Sequence, residues 1–153
     1  MFLMKHKTVF HVKTRLTQTI LFRVQKISTN MAKHNQIGKL CEDIAIKHLS
    51  KKGYKLLDRN YSTKTGEIDI ITIKNDKLVF FEVKSVSCEN ITDAPRIRPE
   101  ENLHHHKLQR LYRTIDMYLT YKNFRDETWI LLLITVKICL SDKKAEVDII
   151  SVL

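Results

Sequence analysis

Three carboxylates and a lysine stand where the chain is otherwise strongly apolar. In GEIDIITIKNDKLVFFEVKS, residues 66–85, Glu67, Asp69, Glu82 and Lys84 interrupt runs of Ile, Leu, Val and Phe. Charges in buried β-structure have to be paired, solvated or bound to a cation. Asn75-Asp76 separates two strand-like runs, 67–74 and 77–86, and both residue types tolerate the positive φ of a tight hairpin turn. A two-residue turn sets Asp69 opposite Glu82 and Glu67 opposite Lys84, with Ile71 facing Phe80 and Ile73 facing Leu78 on the same side. Ile68 with Val83, Ile70 with Phe81 and Thr72 with Val79 make the other face. A slip of one residue would mix charges into that apolar face, so the pattern selects the register. Opposed side chains have Cβ atoms ~4.5–5.5 Å apart, where like charges repel. Two resolutions are open. One is a hard divalent cation held by carboxylate oxygens and water, as suits Mg²⁺. The other is a surface salt-bridge cluster with Glu67 and Lys84 as its pair.

The elements that must position these groups follow from periodicity. Apolar residues at 37, 40, 41, 44, 45 and 49 mark a helix ending near Lys51-Lys52-Gly53. Residues 54–62 form a first strand, before the hairpin strands 67–74 and 77–86. A loop spans 87–99, with Pro95 and Pro99. Apolar positions 108, 111, 112, 115, 118 and 119 mark a second helix over about 100–122. WILLLITVKICL, 129–140, is a buried strand, and 146–153 a weaker last one. The order α-β-β-β-α-β(-β) predicts an α/β fold, a central mixed β-sheet flanked by helices.

The same residues resemble the PD-(D/E)XK, or restriction-endonuclease-like, nuclease superfamily, in which an acidic residue early in one strand precedes Glu-x-Lys late in the next. More narrowly, Gly38, Glu42, Ala45, Gly53-Tyr54, Asn60, Gly66 to Asp69, and Phe80 with Glu82-Val83-Lys84 resemble the YraN family of small bacterial proteins. The resemblance is dense over 38–85 and continues loosely to the second helix, where Lys107 takes the family's helix-lysine position. It implies that Asp69, Glu82 and the Val83 carbonyl hold Mg²⁺ or Mn²⁺, and that Lys84 orients or deprotonates a water. It further implies that Glu42 reaches over the sheet and that Glu67 partners Lys84 from outside the ligand set. The implied activity is hydrolysis of phosphodiester bonds, in DNA rather than RNA; a silent nucleic-acid-binding or adaptor module is the alternative. The family's fourth strand carries Arg-Phe-Asp, whereas TWILLLITV is uncharged; Val147-Asp148-Ile149-Ile150 echoes that motif in part.

Composition bounds the rest. The 153 residues suit one domain of ordinary globular make-up, 43% hydrophobic and 29% charged, and the formal charge is +10. Eight of the 27 Lys and Arg precede the first acidic residue, Glu42, leaving 19 against 17 acids beyond it, so the basicity is mainly N-terminal. Residues 1–30 are a basic extension for which three readings compete: a targeting segment, a disordered phosphate-binding arm, or a stretch preceding a true start at Met31. The endonuclease-like domain is assigned to 31–153. Cys41, Cys88 and Cys139 lack metal or disulfide spacing and read as reduced thiols of a cytoplasmic protein. No apolar run nears the ~20 residues of a membrane span. His104-His105-His106 diverge on a helix and chelate poorly. Arg96, Arg98, Lys107, Arg110 and Arg113 form either a track for a phosphate backbone or an ordinary solvated face.

Overall fold

The computed structural model describes residues 18–21, 30–88, 105–124 and 128–151. Two helices and six strands follow the order β1 (Gln18–Leu21), α1 (Asn30–Lys51), β2 (Lys55–Ser62), β3 (Glu67–Lys74), β4 (Lys77–Cys88), α2 (His105–Tyr121), β5 (Trp129–Cys139) and β6 (Lys144–Ser151). They build one sheet of order β1-β6-β5-β4-β3-β2. β4 and β5 run parallel and every other neighbouring pair antiparallel, so the sheet is mixed, as expected. The architecture is compatible with a restriction-endonuclease-like fold. Arg96, Arg98 and His104 lie outside the described residues.

Each helix covers one face. Ile37, Cys41, Ile44, Ala45 and Leu49 of α1 pack on Ile70, Val79, Phe81, Leu132, Ile134 and Val136. Leu111, Ile115 and Tyr118 of α2 pack on Ile68, Ile71, Leu78, Phe80 and Leu131. Both helices stop in the same way. Gly53 (φ 82) follows α1, with Gly53 N–H bonded to Ser50 O and Tyr54 N–H to Leu49 O. Asn123 (φ 57) follows α2, with Asn123 N–H bonded to Thr120 O and Phe124 N–H to Leu119 O. In both, a left-handed residue lets its own N–H and that of the next residue satisfy carbonyls of the last turn. α1 starts seven residues before the first apolar position of its stripe. β1 lies within the stretch set apart above as an extension, and pairs with β6 from Gln18↔Val147 to Leu21↔Lys144, its Ile20 packed against the α1 core.

The hairpin turns at Asn75-Asp76, both at positive φ (49° and 57°), and its pairs Lys74↔Lys77 to Ile70↔Phe81 have the expected register. The expected faces fail at one point. Ile68 packs with α2 although Ile70 packs with α1. Their β2 partners divide likewise: Arg59 reaches α1 carboxylates, while the Tyr61 ring meets that of Tyr118 on α2. Between them, Asn60 takes a left-handed φ of 51°. The side-chain alternation of both strands thus switches faces at Asn60 and Asp69, while the β2–β3 register runs on unchanged from Asp58↔Ile71 to Ser62↔Glu67; the register shift of this pair lies earlier, between Leu56 and Asp58.

A candidate metal centre at the fork of the sheet

The β3–β4 ladder ends at Ile70↔Phe81, one pair short of the charges. Beyond it β3 stays on β2 as far as Ser62↔Glu67, and β4 stays on β5 as far as Cys88↔Cys139. The expected ladder pairs Asp69–Glu82 and Glu67–Lys84 therefore do not form, because the sheet forks there. β3 parts from β4 where its side chains switch faces: Ile68 and Ile70 pack on opposite sides of the sheet, and Asn60 of the neighbouring β2 takes a left-handed φ. Asp69 fills part of the gap: its Oδ2 accepts the Val83 N–H at 2.6 Å. A backbone donor released from the ladder must find an acceptor, and here it is a carboxylate. In an extended strand a residue's N–H and C=O share one edge, so the Val83 carbonyl also faces the fork.

Asp69 is the group most displaced from its ordinary chemistry at this site. Burial, then the charge of Glu82, push its carboxyl up to about 7. The Val83 N–H opposes the shift, Glu42 adds to it and Lys107 opposes it. The charges that act on Asp69 thus come from α1 (Glu42), β4 (Glu82) and α2 (Lys107). Glu82 is 7% exposed and its Oε1 is in contact with Lys107 Nζ. Glu42 Oε2 lies 3.4 Å from Arg59 Nη2, and Asp43 Oδ1 3.0 Å from Arg59 Nη1, so one guanidinium spans two α1 carboxylates. Glu67 is exposed at the start of β3. Among the described residues, no group of three or more His, Cys, Asp or Glu side chains is gathered about one point for a metal.

Lys84 is half-buried two residues beyond Glu82, and pairs with Thr135 of β5, which pairs with Asp148 of β6. Lys84, Thr135 and Asp148 form one row across the sheet. The row lies on the α2 face, because Val136 and Val147 belong to the α1 core. Asp148 stood out in the sequence only as part of Val147-Asp148-Ile149-Ile150, and Thr135 not at all, since the row depends on a parallel crossover register that no local pattern encodes. Arg59 was missed too; nothing local says that β2 crosses α1 at Glu42.

The β2–β3 turn is tied to α2. Thr63 Oγ1 meets Thr65 Oγ1 at 2.8 Å, Thr65 Oγ1 meets Thr114 Oγ1 at 2.9 Å, and Arg110 Nε donates to the Thr65 carbonyl at 2.9 Å. Arg110, expected on a phosphate track, thus also secures the turn before Asp69. A Cβ on Gly66 would stand 3.2 Å from Thr114 Oγ1, and its φ is 158°. Gly66→Ala is expected to lower stability by about 1–3 kcal/mol, read as a drop in urea midpoint without a change in slope. Cys41 and Cys139 are buried, Cys139 Sγ lies 3.1 Å from Ser141 Oγ, and burial, then Glu42, push the Cys41 thiol up to about 12, away from the thiolate a nucleophile needs. His105 and His106 are exposed. No helix among the described residues is long and apolar enough to cross a membrane.

The family model described as "Uncharacterised protein family UPF0102" matches residues 41–152. The chain is 34% identical to a UPF0102 protein of Alkaliphilus oremlandii over 115 residues, covering 75% of this chain and 94% of the relative. A UPF0102 protein of Flavobacterium johnsoniae is 37% identical over 99 residues, 63% and 76% of the two chains. One of Thermotoga maritima is 42% identical over 81 residues, 53% and 68% of the two. The chain belongs to the UPF0102 family, which bears out the YraN-like resemblance.

Proposed function

We propose that this UPF0102 protein is a divalent-metal-dependent nuclease that hydrolyses phosphodiester bonds, in DNA rather than RNA. The observation that carries the reading is Asp69 at the fork, a half-buried carboxyl that accepts the Val83 N–H and is pushed up to about 7 by burial and by the charges of Glu82 and Glu42. The charges of Glu82 and Glu42 both raise the Asp69 carboxyl, and a cation bound beside it would relieve that repulsion. The donors fit Mg²⁺ or Mn²⁺, which prefer hard oxygens and keep several waters: Asp69, Glu82 and the Val83 carbonyl would hold the ion. Bound there, it would supply Lewis-acid activation of water and neutralise charge at a scissile phosphate. Lys84, on the same sheet face as Glu82, orients or deprotonates the attacking water and stabilises charge developing on the phosphate. Exposed Lys107, Arg110 and Arg113 on α2 offer cations to the neighbouring backbone phosphates. The reduced thiols suit a cytoplasmic setting.

A second reading, a nucleic-acid-binding or adaptor module without turnover, is favoured by one observation. Lys107 and Arg59 already supply Glu82 and Glu42 with cations from within the chain. The test is incubation of the full chain with Mg²⁺ or Mn²⁺ and duplex, single-stranded and branched DNA and RNA. Cleavage that EDTA abolishes supports the enzyme; intact substrates with retained binding support the adaptor. A proton on Asp69 competes with the ion. Mn²⁺ affinity is therefore expected to rise about tenfold per pH unit up to about pH 7, then level off, with about one proton released per ion at pH 6. Calorimetry in buffers of different ionisation enthalpy measures both quantities.

A further inference from the structure

Lys107 stands on the carboxylate that the metal reading needs. Its Nζ is in contact with Glu82 Oε1, while the Glu82 side chain is 9% exposed and that of Lys107 is 55% exposed. The two partners are thus unequal: Glu82 is held in the fork, and Lys107 reaches it from solvent on a flexible four-carbon stem. Leaving costs Lys107 little, because its ammonium returns to water. Glu82 cannot be left alone in the same way, since an unpaired buried carboxylate is heavily penalised. Arg59 behaves otherwise: its planar fork spans Glu42 and Asp43 from within β2 and is a fixed counter-charge.

We infer that Lys107 is an exchangeable internal cation, holding Glu82 until a divalent ion replaces it and then turning to a phosphate of the nucleic acid. The inference rests on the metal reading of Asp69 and Glu82, and adds an order of events to it. Lys107 lies one helical turn before Arg110, which Thr65 holds by its Nε. A released Lys107 therefore joins a cation already fixed on the same side of α2. Two consequences follow. The ion has to displace a bound ammonium, so Lys107 weakens ion binding in the absence of nucleic acid. Lys107 then contributes to nucleic-acid affinity only once the ion is in place, and linkage makes ion and nucleic acid help each other to bind.

The test uses the full chain and two probes, Mn²⁺ alone and a short fluorescent DNA duplex. Lys107→Met and Lys107→Gln remove the ammonium from an exposed position. Both are expected to bind Mn²⁺ about five- to tenfold more tightly than wild type, whereas Lys107→Arg, which can still pair with Glu82, is not. Duplex binding is measured in a Lys84→Met background so that no strand is cut. Lys107→Met is expected to weaken it severalfold with saturating Mn²⁺ and to leave it unchanged without Mn²⁺, with the salt slope reduced by about one only when Mn²⁺ is present. Unchanged Mn²⁺ affinity in both neutral variants overturns the exchange, and so does an equal loss of duplex affinity with and without Mn²⁺. If Asp69→Asn binds Mn²⁺ as wild type does, the metal site itself is refuted and the exchange falls with it. Normal loss of Mn²⁺ binding in Asp69→Asn, with no gain in Lys107→Met, refutes the exchange alone.

Discussion

Asp69→Asn is expected to make the protein more stable above pH 7 and to leave its stability unchanged near pH 4. The sign comes from linkage. Asp69 has its carboxyl raised from 3.8 to about 7 in the fold, chiefly by burial and Glu82, so the native state holds the proton more tightly than the unfolded chain does. Below the unfolded value both states are protonated and no difference arises. As pH rises from about 4 to 7 the unfolded chain releases this proton first, and native stability falls; above 7 the loss is constant. A shift of this size corresponds to roughly 4 kcal/mol as an upper bound, with relaxation of the site reducing it. For a domain of this length each kcal/mol moves the melting temperature by about 2–4 °C. Asn keeps an oxygen for the Val83 N–H and carries no charge, so the wild-type loss is absent. Melting curves of both proteins between pH 4 and 8.5 should diverge as pH rises. Curves that stay parallel, or an Asn variant less stable at pH 8, would remove the strained carboxylate from the account. Gain of stability on loss of a site residue is the behaviour expected of a group kept for function.

Lys84→Met is expected to lower single-turnover cleavage by about a thousandfold or more, the usual scale for loss of a group that moves a proton and stabilises phosphate charge. Mn²⁺ binding should survive, because Lys84 is no ligand. The position supports this separation: Lys84 is half-buried and stands on the Glu82 face of β4, in the row completed by Thr135 and Asp148. A merely structural lysine would give the reverse pattern, with lower stability and little change in rate per folded molecule. Rates normalised to Mn²⁺-binding sites separate the two.

The hairpin was readable because one rule decides it. Asn75-Asp76 permits a two-residue turn, and a one-residue slip would bury charge, so Ile70↔Phe81 and its neighbours follow from pattern alone. The fork was not readable for the same reason. Strict alternation carries the ladder on to Asp69 and Glu82, whereas it stops at Ile70↔Phe81, where the faces switch beside Asn60 at positive φ. A lone Asn within a strand-like run is a weak signal, and that its neighbours Arg59 and Tyr61 meet opposite helices is a tertiary fact with no local trace. The counter-cations Lys107 and Arg59 depend on where α2 and α1 cross the sheet, which no spacing along the chain records. The sequence therefore locates the carboxylates, and the tertiary fold decides what neutralises them.

The central claim is that the fork at Asp69 and Glu82 is a divalent-cation site, and titration of the full chain with Mn²⁺ at pH 7.5 tests it most directly. Wild type should bind one ion saturably, with a rise in melting temperature, and Asp69→Asn should lose both the binding and the rise. Indistinguishable Mn²⁺ isotherms for wild type and Asp69→Asn would contradict the claim.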